Sequence, residues 1–152
     1  MSVISNTNPH YLHEIILVDD FSILKHLKKP LEDFLENYPI VKLIREIESK
    51  GIAGARITGV YAASGQTITF LDSHCECQLE NFRTPTISGG LFTMHRKYFN
   101  YLGQHDSGMK VWGAENLEMS FKVKFNKYQY SYTERLGLNV RWNIINSSVF
   151  IH

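Results

Sequence analysis

The segment Thr69–Cys77, TFLDSHCEC, is where an apolar run stops abruptly at a carboxylate. The preceding residues, Gln66–Leu71, have the composition of a buried strand, and Asp72 and His74 follow it directly. Because side chains alternate along an extended segment, the D-x-H spacing places this carboxylate and this imidazole on the same side. Such a pair suits a divalent ion such as Mn²⁺, with phosphate oxygens filling other positions. The alternative is a polar turn in which Asp72 accepts backbone N–H bonds.

Two earlier apolar runs predict strands of the same kind. They are Glu14–Val18 (EIILV) and Ile40–Ile44 (IVKLI). A helix is predicted between them at Lys25–Tyr38, which Pro30 either kinks or starts, and a closely packed helix is predicted at Gly51–Ala63. The order strand, helix, strand, helix, strand is the pattern of parallel βαβ units, so the sequence predicts the α/β class.

Acidic residues follow two of the predicted strands. Asp19 and Asp20 come after the first strand, and Asp72 comes after the third. Ligands of open α/β sheets bind beyond the carboxyl ends of the strands, so both clusters are predicted on one rim of one sheet. The Asp19-Asp20 pair could hold a nucleoside or a metal. The alternative is a strand-end pair that helps to cap the next segment.

The second half of the chain carries a glycine pair and an aromatic residue near a carboxylate. Thr86–Met94, TISGGLFTM, predicts a strand interrupted by Gly89 and Gly90, which indicates a bulge or a close backbone approach to a ligand. Trp112 and Glu115 combine an aromatic plate and a carboxylate on one loop, as in sites that hold sugars. The alternative is a core tryptophan and a helix-starting acid.

The remaining pattern predicts two helices and a change of character near the end. A short helix is predicted at His95–Leu102, and a longer one follows Glu115. The apolar side chains predicted to point inward on the longer helix are Leu117, Phe121 and Val123. Beyond this helix the sequence is polar and aromatic, with weak strand alternation near Gly137–Phe150. We therefore divide the chain into a domain over 1–124 and a divergent tail over 125–152.

Composition excludes several function classes. With 152 residues, 43% hydrophobic and 20% charged, the chain is typical of a soluble globular domain. Its net charge of +1 gives no field that would direct it to nucleic acid or to an anionic membrane. No apolar run reaches the length of a membrane span, and the start, MSVISNTNPHYLHE, lacks the regions of a signal peptide.

Cysteines and the other histidines are not predicted to form a site. Cys75 and Cys77 are too few for a disulfide framework and lack the usual zinc spacing, so packing thiols are expected. The histidines predicted to be surface or ordinary residues are His10, His13, His26, His95, His105 and His152.

Five stretches of the sequence occur together in one known family. They are EIILVDDFS, KKPLEDF, TFLDSHCEC, RTPTISGGLF and VWGAENLEMSFKV. In order and approximate wording, Ser2 to about Val123 resembles the polypeptide N-acetylgalactosaminyltransferases. The resemblance implies a GT-A fold, a Rossmann-like α/β domain. It also implies a Golgi enzyme that uses Mn²⁺ and transfers N-acetylgalactosamine (GalNAc) from UDP-GalNAc to Ser or Thr hydroxyls of acceptor polypeptides, with retention of configuration.

The resemblance implies that residues after the strands bind the nucleotide and the metal. Asp20 would contact the uridine part of the donor, and Ser73 would lie near the nucleotide. Asp72 and His74 would ligate Mn²⁺. A metal held there would neutralise the leaving diphosphate.

Residues of the second half would line the donor sugar by the same resemblance. Gly89 and Gly90 would let the backbone approach the sugar. Trp112 and Glu115 would line the pocket of the sugar and the diphosphate as the catalytic residues.

The chain also departs from the family pattern. Its start corresponds to the helix before the family's second strand, so the first strand is expected to be absent, which exposes an edge that must be paired or covered. A long central stretch between CECQLENF and RTPTISGGLF is missing, and no H-x-x-R segment follows to supply a third metal ligand. Gly54 replaces the first of two family arginines, whereas Arg56 keeps the second, and Ala114 replaces a glycine of the WGGE motif.

These departures separate lineage from activity. We expect a glycosyltransferase by lineage that is not a competent transferase as this chain alone, since two protein ligands hold Mn²⁺ less well than three. The alternatives are a non-catalytic remnant that binds partners and a splice or gene-model fragment. The family implies the Golgi lumen, although the sequence shows no signal, anchor or lectin domain.

Overall fold

The computed structural model of the protein describes residues 2–73, 92–109, 114–125 and 147–151. These residues form one five-stranded sheet with helices packed on it. The strands are β1 (Leu12–Asp19), β2 (Val41–Arg45), β3 (Thr67–Leu71), β4 (Phe92–His95) and β5 (Ser147–Ile151). The helices are α1 (Ser2–Asn6), α2 (Lys29–Leu35), α3 (Gly51–Ala62), α4 (Arg96–Tyr101) and α5 (Ala114–Phe125).

The sheet is mostly parallel, in the order β2-β1-β5-β3-β4. β1 and β2 run parallel, with Asp19 opposite Arg45 at the end of the ladder. β4 runs antiparallel to β3 and forms one edge. The predicted α/β class and the predicted alternation of strands and helices are therefore confirmed. Because β1 and β3 point the same way, Asp19 and Asp72 lie at the same rim of the sheet.

β5 lies in the middle of the sheet and pairs in parallel with both β1 and β3. Val149 is opposite Ile15 on one side and opposite Thr69 on the other. Among the described strands, β5 is the one that joins the β1–β2 pair to the β3–β4 pair. Of the weak strand signal near Gly137–Phe150, residues 147–150 lie in this central strand, and residues 137–146 lie outside the described residues. β5 pairs edges of β1 and β3 that would otherwise be open.

Pro30 starts a helix rather than bending one. The predicted helix at Lys25–Tyr38 is split into a short 3-10 turn at Lys25–Leu27 and the helix α2, and Pro30 occupies the first turn of α2. This position suits proline because the first N–H groups of a helix have no partner within it. None of the described helices combines the length and apolar character needed to cross a membrane.

The two faces of the sheet carry separate apolar clusters. Ile16 of β1 and Phe70 of β3 belong to the larger cluster, which also includes residues of α3, α4 and α5. Ile15 and Leu71 face the other way and pack with Val3 of α1. The alternation follows the two-residue period of a strand, so β1 and β3 contribute to both layers.

The inward face of α5 differs from the prediction. Leu117 and Phe121 are each 53% exposed, whereas Met119 is completely buried. Of the three residues predicted to face inward, Val123 packs against the core. The helix is rotated because its first turn buries Glu115 and Asn116, and residues three or four positions further along share that face.

Candidate functional site

The candidate site begins where β3 ends. Ile68 and Phe70 face the layer of α3 and α5, and Asp72 follows with the same parity. The Asp72 side chain is 18% exposed, and Ser73 beyond it is exposed. The predicted carboxylate therefore lies at the rim, directed to the helical layer rather than to open solvent.

The side chain of Arg56, on α3, extends to this rim. Its side chain is 2% exposed, and its Nη2 donates to Asp72 Oδ1 over 3.3 Å. The guanidinium carbon lies 5.8 Å from the centre of the Phe70 ring, within the range of a cation–π contact. A buried arginine is tolerated only with partners for its charge, and Asp72 is one of them.

Glu115 is the second carboxylate beside the same guanidinium. It is completely buried in the first turn of α5, with its Oε1 3.6 Å from Arg56 Nη1. Arg56 Nη1 also donates to Asn116 Oδ1 over 3.4 Å. A negative charge is favourable at a helix N-terminus. The structure thus brings two predicted site residues, Asp72 and Glu115, to one cation that joins β3, α3 and α5.

Asp20 is placed at the beginning of α3. Its carboxylate accepts bonds from the backbone N–H groups of Lys50, at 2.7 Å, and Gly51, at 3.0 Å. The Ser49 hydroxyl donates to it over 2.9 Å. Gly51 has a φ of 70°, a conformation that glycine adopts at little cost. Asp20 thus caps the start of α3, whereas the alternative for the acidic pair was the capping of the segment that follows β1 directly.

Asp19, its neighbour, is held by the fold itself. Its carboxylate accepts bonds from Arg45 and, over 2.7 Å, from the backbone N–H of Ser22. Lys28 lies 3.8 Å away. Burial acts to raise the pKa of Asp19, but the hydrogen bonds from Ser22 and Arg45 outweigh it and hold the pKa below its ordinary value. Asp19 is therefore a charged anchor between β1 and β2.

Of the two alternatives for the scattered histidines, surface or ordinary residues, His105 is not a surface residue, because it is buried. It is 3% exposed and packs edge-on against Phe70, Phe92 and Phe99. Burial lowers its pKa to about 4, and the charge of Arg56 acts in the same direction. The imidazole is consequently neutral at pH 7, and it forms part of the apolar floor beneath the site.

The other predicted site residues fall outside the described ranges. They are His74, Gly89, Gly90 and Trp112. Within those ranges no group of three or more His, Cys, Asp or Glu side chains could hold a metal ion. Asp72 fits an oxygen ligand for a divalent cation, since its carboxylate reaches the rim and its Oδ1 is already oriented by Arg56.

Arg56 and Asn116 were not among the predicted site residues. A signal for Arg56 was present, because it is the single charged residue in α3, GIAGARITGVYA. A lone charge in a closely packed helix must find partners of opposite charge. Asn116 gave no comparable signal, since an asparagine after a glutamate is ordinary in a first helical turn.

Comparison with known proteins gives a consistent family. Residues 1–84 match the model of glycosyl transferase family 2. The chain is 30% identical to polypeptide N-acetylgalactosaminyltransferase 5 of Caenorhabditis elegans over 191 residues, covering 80% of this chain and 30% of that protein. It is 35% identical to polypeptide N-acetylgalactosaminyltransferase 13 of Homo sapiens, covering 78% of this chain and 34% of that protein.

These alignments also bear on the internal gap. An alignment of 191 residues is longer than this chain of 152, so the relative carries residues opposite gaps in this chain. The chain spans about a third of the length of the curated relatives it matches. The first observation agrees with an internal loss in this chain relative to that protein.

A solved structure shares the fold. The crystal structure of GalNAc-T7 with UDP, GalNAc and Mn²⁺ superposes with a TM-score of 0.74 at 27% identity, over 80% of this chain and 36% of that chain. The predicted partial GT-A fold and the resemblance to polypeptide N-acetylgalactosaminyltransferases are confirmed. With more than half of its residues matching the family model, the chain belongs to glycosyl transferase family 2.

Proposed function

We propose that this domain binds UDP-GalNAc with Mn²⁺ at the rim beyond β3, as the donor-binding part of a polypeptide N-acetylgalactosaminyltransferase. The acceptors of that lineage are Ser and Thr hydroxyls of polypeptides, and its compartment is the Golgi lumen. The observation that carries the proposal is the meeting of Asp72 and Glu115 at Arg56. The relatives' names and the UDP, GalNAc and Mn²⁺ of the solved neighbour support the choice of donor.

Each predicted site residue has a role in this proposal. Asp72 and His74 hold Mn²⁺, which when bound neutralises charge on the diphosphate leaving group. Ser73 lies beside the nucleotide. Asp20 contacts the uridine through the acceptor capacity that remains beside its three hydrogen bonds, since a carboxylate offers about four lone-pair sites.

The sugar side of the proposed site belongs to the second half of the chain. Trp112 and Glu115 line the sugar and the diphosphate, and the Gly89-Gly90 backbone approaches the sugar. The contact with Arg56 balances the charge of Glu115 and gives it a fixed orientation. We propose donor binding without efficient transfer for this chain, because Gly54 stands where the family has an arginine near the diphosphate.

Thermal unfolding with UDP, with Mn²⁺ and with both tests the proposal. A ligand that binds the folded state raises the midpoint by mass action, so we expect an upward shift that requires both ligands and disappears with EDTA. Asp72→Asn should abolish the shift. The control Asp33→Asn, which alters an exposed aspartate of α2 paired with Lys29, should keep it. An unfolding midpoint of the wild-type protein that UDP and Mn²⁺ do not shift would contradict donor binding and favour a non-catalytic, partner-binding protein.

A transfer assay separates binding from catalysis. UDP-GalNAc and a Ser/Thr-containing peptide are incubated with the chain and Mn²⁺, and the glycopeptide is measured by mass spectrometry. We expect no product above the Asp72→Asn background. Product that depends on Asp72 would overturn the expectation of an incompetent transferase and would assign transfer to this chain.

A further inference from the structure

Arg56 is the residue that contacts both carboxylates of the candidate site, Asp72 and Glu115. It is fixed on α3, whereas Asp72 follows β3 and Glu115 begins α5. One arm of the guanidinium contacts Asp72 and the other contacts Glu115, and Asn116 braces the second arm. The planar fork of arginine can serve two acceptors at once, which the point charge of a lysine cannot do with fixed geometry.

We propose that Arg56 is a positioning residue for the donor site. Arg56 binds Asp72 Oδ1 and thereby orients the other carboxylate oxygen of Asp72 toward the metal, and it holds Glu115 at a fixed position relative to Asp72. This inference rests on the proposed function. Carboxylate ligands of metals are themselves commonly hydrogen-bonded. Loss of such an outer partner typically costs 10–100-fold in metal affinity.

The positive charge of Arg56 acts against Mn²⁺ binding, whereas its positioning of Asp72 favours Mn²⁺ binding, and the experiment must separate the two effects. A cation near a metal site repels the metal, so a neutral replacement would mix weaker positioning with weaker repulsion. Arg56→Lys keeps the charge and loses the fork. Any change in Mn²⁺ affinity in this variant therefore reports geometry rather than net charge.

The test is a titration of Mn²⁺ in the presence of UDP, read by the electron paramagnetic resonance signal of unbound Mn²⁺. We expect Arg56→Lys to weaken Mn²⁺ binding about tenfold. The control Arg45→Lys alters the arginine paired with Asp19 at the same rim, and it should leave Mn²⁺ affinity unchanged. Binding by Arg56→Lys that is as tight as wild type, or tighter, would overturn the proposal.

A second variant covers the case in which Arg56→Lys does not fold. Asn116→Ala removes the brace of Arg56 Nη1 without changing any charge, and it should weaken Mn²⁺ binding in the same direction by a smaller factor. Unchanged affinity in this variant would count against positioning. If the wild-type protein itself binds no Mn²⁺ with UDP, the proposed function fails and this role fails with it. If wild type binds Mn²⁺ with UDP and the variants bind it equally tightly, the positioning role is wrong and the proposed function stands.

Discussion

β1 and β3 end in aspartates at the same rim of one sheet, yet their carboxylates are held differently. Asp19 is bonded by Arg45 and by the backbone of Ser22, so its capacity is used by its own fold. Within the described residues, the contact of Asp72 is with Arg56, at 3.3 Å. Position at a strand end therefore does not decide how many donors hold a carboxylate.

The largest expected effect comes from breaking β5, the strand that joins the β1–β2 pair to the β3–β4 pair. Val149→Pro, in the middle of β5, removes a ladder hydrogen bond from β5 to one of its neighbours, β1 or β3, and should cost about 4 kcal/mol of unfolding free energy. Val149→Ala keeps the N–H and serves as the control. Urea unfolding measures both variants. A proline variant no less stable than the alanine variant would contradict the central place of β5.

The comparison itself is tested by removing each aspartate. Asp19→Ala leaves Arg45 without its main partner and should cost about 3 kcal/mol, whereas Asp72→Ala leaves Arg56 with Glu115 and should cost about 1 kcal/mol. Urea unfolding at pH 7 gives both values. Equal costs would show that the two aspartates contribute alike to stability.

The stability cost of Asp19→Ala should depend on pH. The pKa of Asp19 is lowered in the folded state, so its stabilisation is present above the ordinary carboxyl pKa and is lost as the pH falls through the folded value. The difference between wild type and Asp19→Ala should therefore shrink in acid. A constant difference from pH 7 to pH 3 would contradict a role for the charge.

The buried imidazole of His105, which packs against Phe70, is a second difference between the surroundings of β3 and those of β1. The folded pKa of His105 is about 4, below the ordinary value of 6.5, so the unfolded chain binds a proton between these values that the folded chain does not. Stability should fall by up to about 3 kcal/mol as the pH drops from 6.5 toward 4. His105→Phe should remove most of this fall, and His26→Phe, at an exposed position, should keep it.

The smallest expected effect concerns α3, the helix that carries Arg56. A Cβ at Gly54 would lie 2.5 Å from Lys50 Cβ, too close for any real pair. Gly54→Ala should therefore destabilise by about 1 kcal/mol, although alanine ordinarily stabilises a helix relative to glycine by a similar amount. The loss should vanish in a Lys50→Gly background. If Gly54→Ala stabilises the protein, the contact is not a constraint.

The strands and the helix starts could be predicted because their signals are local. Apolar runs marked β1, β2 and β3 to within two residues, and Pro30 marked the first turn of α2. Motif wording singled out Asp72 and Glu115, which the structure brings to one arginine. These features depend on neighbouring residues in the sequence, and no distant partner is needed to recognise them.

The features that escaped prediction depend on contacts between distant segments. Apolarity placed Leu117 and Phe121 inward on α5, but the demand of Arg56 for acceptors buries Glu115 and Asn116 instead. The burial of His105 follows from aromatic rings on β3, β4 and α4. No pattern within a single helix or strand carries this information.

The central place of β5 has a consequence for how the chain folds. Ile15 and Val149 are partners in the sheet but lie near opposite ends of the sequence. Pairings of such high contact order form slowly, because loop-closure entropy must be overcome before any ladder bond forms. Until β5 docks, β1 and β3 each present an unpaired edge, the surface on which chains associate. We expect aggregation during refolding to rise steeply with protein concentration and to fall once β5 is in place.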